Sequence, residues 1–154
     1  MTDRKATLTY HKQDDDSQGC FADYESDSGV KLVMVSLFRW DPGDHLCTWR
    51  WSNDHGINLY GLPVAGHSDI EIHTGNVAGD VTQGYQTDSE GCGLPGMDIV
   101  TFDVGTKLTP NHAPMAKKQL GVSASHAALT RLETDMRGSD GKQQPFILTV
   151  KEAV

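Results

Sequence analysis

The residue with the clearest chemical potential is Cys92, which lies in a Ser-Glu-Gly-Cys-Gly segment. A thiol becomes a useful nucleophile when its pKa falls and a base lies within hydrogen-bonding distance. The flanking Gly91 and Gly93 are expected to leave the sulfur unobstructed and the nearby N–H groups free to face an oxyanion. This pattern favours acyl transfer. A small buried cysteine in a tight turn is the alternative, because free cysteine is among the most buried residue types.

His73 is the base that the sequence offers to this cysteine. It ends an alternating Asp-Ile-Glu-Ile-His segment at the edge of a glycine-rich loop. An imidazole titrates near neutral pH and therefore serves as a general base. Asn76, Asp80 and Asp88 are all candidates for holding the ring, and the sequence does not choose among them. The alternative is a structural histidine that bonds loop backbone.

A zinc site is a further alternative for the same part of the chain. His67, Asp69 and His73 lie within seven residues, and Cys92 would add a soft ligand. Neither Cys-x-x-Cys nor His-Glu-x-x-His is present. We therefore predict no metal site and no cofactor.

The first two-thirds of the chain reads as strands and turns. Residues 6–10 and 20–24 are predicted to form a hairpin, and the acidic residues at 14–16 are predicted to be a solvated turn. The most apolar segment is expected to be a central strand. The predicted strands after the hairpin are residues 30–38, 45–52, 57–60, 97–104 and 146–150. Trp49 and Trp51 share a strand face, so exposure of one of them to a sugar or a partner protein is an alternative, but we interpret the tryptophans mainly as core residues.

Eight glycines between positions 61 and 96 predict a long, exposed loop that forms the site. One helix follows, with Ser123 or Ser125 as its cap and Gly138 as its end. The predicted fold is α+β: a single domain, residues 1–154, made of a small curved sheet or barrel with one C-terminal helix.

Charge and composition exclude several classes of function. The chain has 154 residues, 21 acidic and 13 basic, and a formal charge of −8. Because binding to nucleic acid or to an anionic membrane relies on clustered basic residues, we predict neither partner. The N-terminus has no apolar segment typical of a signal peptide, so we expect a protein of the host cytoplasm or one that leaves by a route without a cleaved signal. Three cysteines favour free thiols over a disulfide framework, and Cys20 and Cys47 are predicted to be core residues.

The motifs around the histidine and the cysteine resemble those of a known family. His-Thr-Gly-Asn at 73–76 and Gly-Cys-Gly-Leu-Pro-Gly at 91–96 are similar to the His-x-Gly-Asn and Gly-Cys motifs of the phage- and prophage-associated domain of unknown function 5675. The likeness extends to the Ser-Gln-Gly turn at 17–19, to residues 59–64 and to the terminal helix and strand. Residues 97–120 look like an addition. The resemblance implies a protein of phage origin, with incorporation into a virion as one possibility.

The same pair resembles the catalytic motif of YkuD-type L,D-transpeptidases. That resemblance implies Cys92 as nucleophile, His73 as base, Ser89 as the motif serine, and the amides near Gly91 and Gly93 as oxyanion donors. The implied substrate is a peptidoglycan stem peptide, and we assign Gly75 and Asn76 to substrate binding. Two departures from the family pattern are the Thr between the histidine and the next glycine, and the absence of an arginine shortly after the cysteine.

Two functions follow from these patterns. The first is a phage-encoded, cysteine-dependent acyl-transfer enzyme acting on peptidoglycan. The alternative is a non-catalytic tail or baseplate component, with other virion proteins as partners, a larger assembly, and a structural His–Cys pair. Geometry separates them, since an enzyme is expected to hold His73 close to the sulfur of Cys92 in an open cleft.

Overall fold

A computed structural model describes residues 4–103 and 118–154 of the chain. Ten strands, one α-helix and one short 3₁₀ helix at Val81–Gln83 make up its regular structure. The strands are β1 (Lys5–Tyr10), β2 (Cys20–Ser26), β3 (Lys31–Ser36), β4 (Gly43–Ser52), β5 (Ile57–Gly61), β6 (Glu71–Ile72), β7 (Leu94–Gly96), β8 (Ile99–Asp103), β9 (Lys118–Val122) and β10 (Phe146–Glu152), and the helix is α1 (Ser125–Asp135).

Eight of the strands form one curved sheet in the order β6-β5-β4-β10-β1-β2-β3-β7. The predicted hairpin is confirmed, since β1 and β2 pair antiparallel, whereas β1 and β10 pair parallel. Ile72 at the end of β6 forms a parallel bridge with Gly93, which directly precedes β7. This bridge brings the two ends of the sheet together. The sheet is therefore nearly closed, and we call the contact between residues 71–73 and 92–94 the seam.

Side chains of alternating residues fill the inside of this sheet. In β1 and β10 the inward positions are all apolar and buried: Ala6, Leu8, Tyr10, Phe146, Leu148 and Val150. Burying a large apolar side chain stabilises a fold by about 1.5–3 kcal/mol. A second apolar cluster lies apart from this core and contains Phe21, Val35, Ala78, Leu94 and Val122. The α+β fold with a small curved sheet and one C-terminal helix is confirmed.

The tryptophans divide between core and surface. Trp40 is fully buried and donates its indole N–H to the Gly91 carbonyl at 3.0 Å. Trp49 is half-buried and packs edge-on against Tyr60. Trp51 is 59% exposed, so the core interpretation holds for Trp40 and Trp49 and is wrong for Trp51.

The helix is where it was predicted, but its capping differs from the prediction. Ala124, with a left-handed φ of 50°, occupies the N-cap position, and its own side chain makes no capping hydrogen bond. Ser125 is already helical, and its hydroxyl instead accepts the Gly75 N–H at 3.1 Å. The helix ends before Gly138, whose N–H donates to Lys142. Helix α1 packs against β7 and adds buried apolar side chains to the main core.

Two strand predictions need correction. The apolar strand β3 was predicted to be central but lies next to last in the sheet. The centre is occupied by β1 and β10. The predicted strand 97–104 contains β8, which among the described residues pairs with β9 in a separate two-stranded sheet and not with the main sheet. Residues 104–117, which include most of the predicted addition, lie outside the described part of the chain.

Within residues 4–103 and 118–154, the helices are too short or too polar to cross a membrane.

Candidate active site

The seam brings His73 and Cys92 to the same place. The His73 N–H donates to the Gly93 carbonyl at 3.1 Å, and the Gly93 N–H donates to the Glu71 carbonyl at 2.9 Å. Because side chains alternate across an extended backbone, this register places Glu71, His73 and Cys92 on the face opposite to Ile72. This contact brings Cys92, which follows His73 by 19 positions, into the same local site.

Both side chains line one open cavity of about 700 Å³. The cavity lies between the turn after β4, the loop before β6 and the loop before Cys92. Among the described residues its lining contains carboxylates and imidazoles but neither lysine nor arginine: Asp54, His55, Gly66, His67, Ser68, Asp69, Ile70, His73, Thr87, Asp88, Ser89, Glu90 and Cys92. The cavity is thus strongly acidic.

His73 is buried and held in one orientation. Its Nδ1 lies 2.8 Å from the Thr74 carbonyl, which can only accept a hydrogen bond. In the neutral ring Nδ1 must therefore carry the proton, and Nε2 is left as the basic nitrogen. The ring of His55 lies over that of His73, with centroids 4.2 Å apart. Burial, more than the nearby His55, lowers the pKa of His73, so the ring is neutral at physiological pH.

The thiol of Cys92 is held by backbone groups on the opposite side of the seam. Sγ donates to the Asp69 carbonyl at 3.5 Å and accepts the Glu71 N–H at 3.3 Å. Burial, with smaller contributions from the Glu71 and Asp54 carboxylates, raises the pKa of the thiol. Within the described part of the chain, no hydrogen bond joins the thiol to His73. The imidazole of His73 and the thiol of Cys92 are therefore both uncharged, and both line the same cavity.

The amides around the cysteine are already paired, contrary to the expectation that they would be free. The N–H groups of Gly91 and Cys92 both donate to the Ser89 hydroxyl, at 3.0 and 2.7 Å. The Gly93 N–H is taken by the Glu71 carbonyl. Ser89, the motif serine, therefore fixes the backbone at Cys92 and accepts hydrogen bonds from two of the N–H groups that were expected to face an oxyanion.

The two glycines have packing roles that the sequence did not indicate. A Cβ on Gly93 would lie 2.7 Å from Met34 Sδ and from Trp40 Cη2, and one on Gly91 would lie 2.5 Å from Phe38. Gly91 also has a φ of +144°, a conformation that favours glycine. The glycines let the loop lie directly on the buried Trp40 and the half-buried Phe38.

Gly75 and Asn76, assigned above to substrate binding, lie beside a second cavity near the start of α1. The Asn76 amide donates to the Val122 carbonyl at 2.9 Å. Asp88, which lines both cavities, accepts the N–H groups of Asn76 and Val77. Gly75 and Asn76 are absent from the lining of the Cys92 cavity.

None of the three candidate side chains holds the imidazole of His73. Asn76 and Asp88 bond elsewhere, and Asp80 caps the short 3₁₀ helix through the Thr82 N–H. The Thr74 carbonyl and the His55 ring hold it instead. Main-chain hydrogen bonds and ring contacts of this kind leave no signature in a single sequence.

Glu71, Ser52 and His55 were missed by the sequence analysis. Glu71 is buried at 3% exposure and accepts the Ser52 hydroxyl at 2.8 Å. The Ser52 hydroxyl oxygen in turn accepts a hydrogen bond from the main-chain N–H of His55 at 3.3 Å. The alternation Ile-Glu-Ile-His would have placed Glu71 on the same face as His73, whereas nothing local pointed to Ser52 or His55.

The remaining candidate ligands and thiols do different things. Although His67, Asp69, His73 and Cys92 line one cavity, no group of three such side chains in the described ranges is arranged to hold a metal ion. His67 stacks on Phe38 with centroids 4.0 Å apart. Cys20 and Cys47 are buried free thiols, as predicted, and burial raises the pKa of Cys20 to about 12.

Comparison of the chain with protein-family models, curated proteins and solved structures gave no match.

Proposed function

We propose that this chain is a cysteine-dependent acyl-transfer enzyme, with Cys92 as nucleophile and His73 as general base. The observation that carries the proposal is that both residues line one open cavity while a backbone carbonyl fixes Nε2 of His73 as the basic nitrogen. The pKa of His73 is lowered, so the base is unprotonated when a substrate arrives.

The proposed reaction begins with rotation of the Cys92 side chain away from the Asp69 carbonyl. The thiol proton passes to Nε2 of His73 as sulfur attacks the substrate carbonyl carbon. The carbon–nitrogen bond then breaks, and the leaving amine takes the proton from His73. The resulting thioester is passed to another amine or to water. Rotation of the Ser89 hydroxyl would free the Gly91 and Cys92 amides together, because one oxygen holds both.

The acidic lining favours a substrate that carries an amine close to the reacting carbonyl. Among the described residues, Asp54, Asp69 and Glu90 line the cavity without a side-chain hydrogen bond or ion pair of their own. The motif resemblance to L,D-transpeptidases makes a peptidoglycan stem peptide our proposed substrate, with a phage origin and action at the cell wall.

The proposal is tested by acylation of Cys92 with p-nitrophenyl acetate, followed by intact-mass measurement. Cys20 and Cys47 are replaced by alanine, since serine would bury a hydroxyl in the core. We expect one acetyl group on Cys92 and a loss of about 100-fold or more in rate in His73→Ala. His126→Ala, at an exposed histidine outside this cavity, is the matched control. Stem peptides are the next substrates. Equal rates in the wild type and His73→Ala would rule out the proposed base.

A second candidate function is a non-catalytic phage virion component. It is favoured by the paired amides and by the Cys92 thiol, which bridges Asp69 and Glu71 as a structural link across the seam. A thiol that stays unacylated in the native chain, but reacts once the chain is unfolded, would favour this candidate.

A further inference from the structure

We infer that Glu71, Ser52 and His55 form a positioning chain that orients His73. The inference rests on the proposed function only for the role of His73 as base. The buried Glu71 carboxylate fixes the Ser52 hydroxyl, and Ser52 fixes the turn that carries His55. That turn lays the His55 ring on the imidazole of His73.

Ser52 holds the turn through two separate atoms. Its hydroxyl oxygen accepts the His55 N–H at 3.3 Å, and its carbonyl accepts the Gly56 N–H at 2.8 Å. The hydroxyl proton is directed to Oε1 of Glu71 at 2.8 Å. Because Ser52 and Glu71 are both buried, competition from water for this hydrogen bond is weak. The position of an exposed residue is thereby set from inside the protein.

The arrangement restrains His73 from two directions. The Thr74 carbonyl holds Nδ1, and the His55 ring covers one face of the imidazole. Contacts at both an edge and a face restrict rotation of the imidazole ring. Since His55 is itself exposed and on a turn, it serves as a cover for the base and not as part of the core.

Three titratable groups influence the charge of His73: His55, Glu71 and Asp88. Burial and His55 lower the pKa of His73, whereas the two carboxylates raise it. Within the positioning chain, His55 therefore lowers the pKa of His73 and Glu71 raises it. This difference separates a positioning chain from a general loosening of the fold.

The test is the titration of His73 followed by NMR of the imidazole nitrogens in the full chain, with the resonance assigned from His73→Gln. His55→Ala and Ser52→Ala are both expected to raise the pKa of His73, because the ring loses its cover. His55→Phe keeps the cover and loses only the smaller effect of the His55 charge, so it should raise the pKa less than His55→Ala does. Glu71→Gln still accepts the Ser52 hydroxyl but loses the charge, and should lower the pKa further.

Ser139→Ala, at an exposed turn residue, controls for loss of a hydroxyl elsewhere. An unchanged titration in either His55→Ala or Ser52→Ala would overturn the inference, as would an increase in all four variants, Glu71→Gln included. The two His55 variants alter an exposed side chain, so they decide the question even if Ser52→Ala does not fold.

The pH dependence of Cys92 acylation separates this inference from the proposed function. If His73 is the base, the acid limb of the rate profile should move with the titration of His73 in each variant. If Cys92 is not acylated at all, the proposed function fails. The NMR titration still decides whether Glu71, Ser52 and His55 position His73.

Discussion

Ile72 and Gly93 form a parallel bridge at the point where the eight-stranded sheet nearly closes on itself. The residue after Ile72 is His73, and the residue before Gly93 is Cys92. One backbone contact thus closes the fold and joins the two halves of the candidate site. Changes that open the seam should therefore affect stability and reactivity together.

Gly93→Ala should weaken the seam. The added methyl would lie 2.7 Å from two atoms of the buried Met34 and Trp40, and overpacking of this kind costs about 1–3 kcal/mol. Urea unfolding measures the loss. Gly29→Ala is the comparison, because nothing lies within 4 Å of its Cβ and only the positive φ opposes it. A smaller loss for Gly93→Ala than for Gly29→Ala would contradict the packing argument.

Ser89→Ala should lower the free energy of unfolding by about 1–3 kcal/mol, because two amides lose their shared acceptor. It should also slow alkylation of Cys92 by iodoacetamide at a fixed pH, because the nearby Ser89 hydroxyl, which holds the Cys92 N–H, lowers the pKa of the thiol. Alkylation rates from pH 7 to 10 measure this effect, with Ser139→Ala as control. Faster alkylation throughout this range would mean that Ser89 mainly shields the sulfur.

The stability of the chain should fall as the pH drops below about 6.5, the usual pKa of an unfolded histidine. The folded state lowers the pKa of His73, so the unfolded state takes up a proton first. The stabilisation from His73 is fully present above the unfolded pKa and is lost as the pH falls through the folded pKa. Urea unfolding between pH 7.5 and 5.5 should show a shallower decline in His73→Gln. An identical slope in both proteins would exclude His73 as a source.

Cavity charge should favour esters that carry a free amine over their N-acetylated forms. Charges at cavity distances interact by about 1 kcal/mol even at high effective dielectric, which corresponds to a preference of about fivefold. Asp54→Asn should reduce this preference in Cys92 acylation, and so should 1 M salt. Asp27→Asn removes the charge of an exposed residue outside the cavity lining and should leave it unchanged. A preference insensitive to both Asp54→Asn and salt would have a steric cause.

Much of the fold was predictable because its strands alternate. The hairpin of β1 and β2, the strand β4 and the terminal strand β10 each carry apolar residues at every second position or a dense apolar run, and the helix has an apolar side. The order of the strands was less accessible. Strand β3 is very apolar because both of its faces are covered, by the core on one side and by the cluster around Val35 on the other. The hydrophobicity of β3 therefore indicated that the strand is buried on both faces, and it did not indicate a central position in the sheet.

For the site, the sequence by itself determined the two reactive residue types, the thiol of Cys92 and the imidazole of His73, and the glycines that let the loop approach the core. Only the tertiary structure decided that the two share a cavity, because the seam is a contact between distant segments. It also decided that Ser89 occupies the expected oxyanion donors and that Glu71 and Ser52 hold His55 over His73. Hydrogen bonds to backbone atoms and ring stacking depend on distances in space, which the spacing of residues along one chain does not encode.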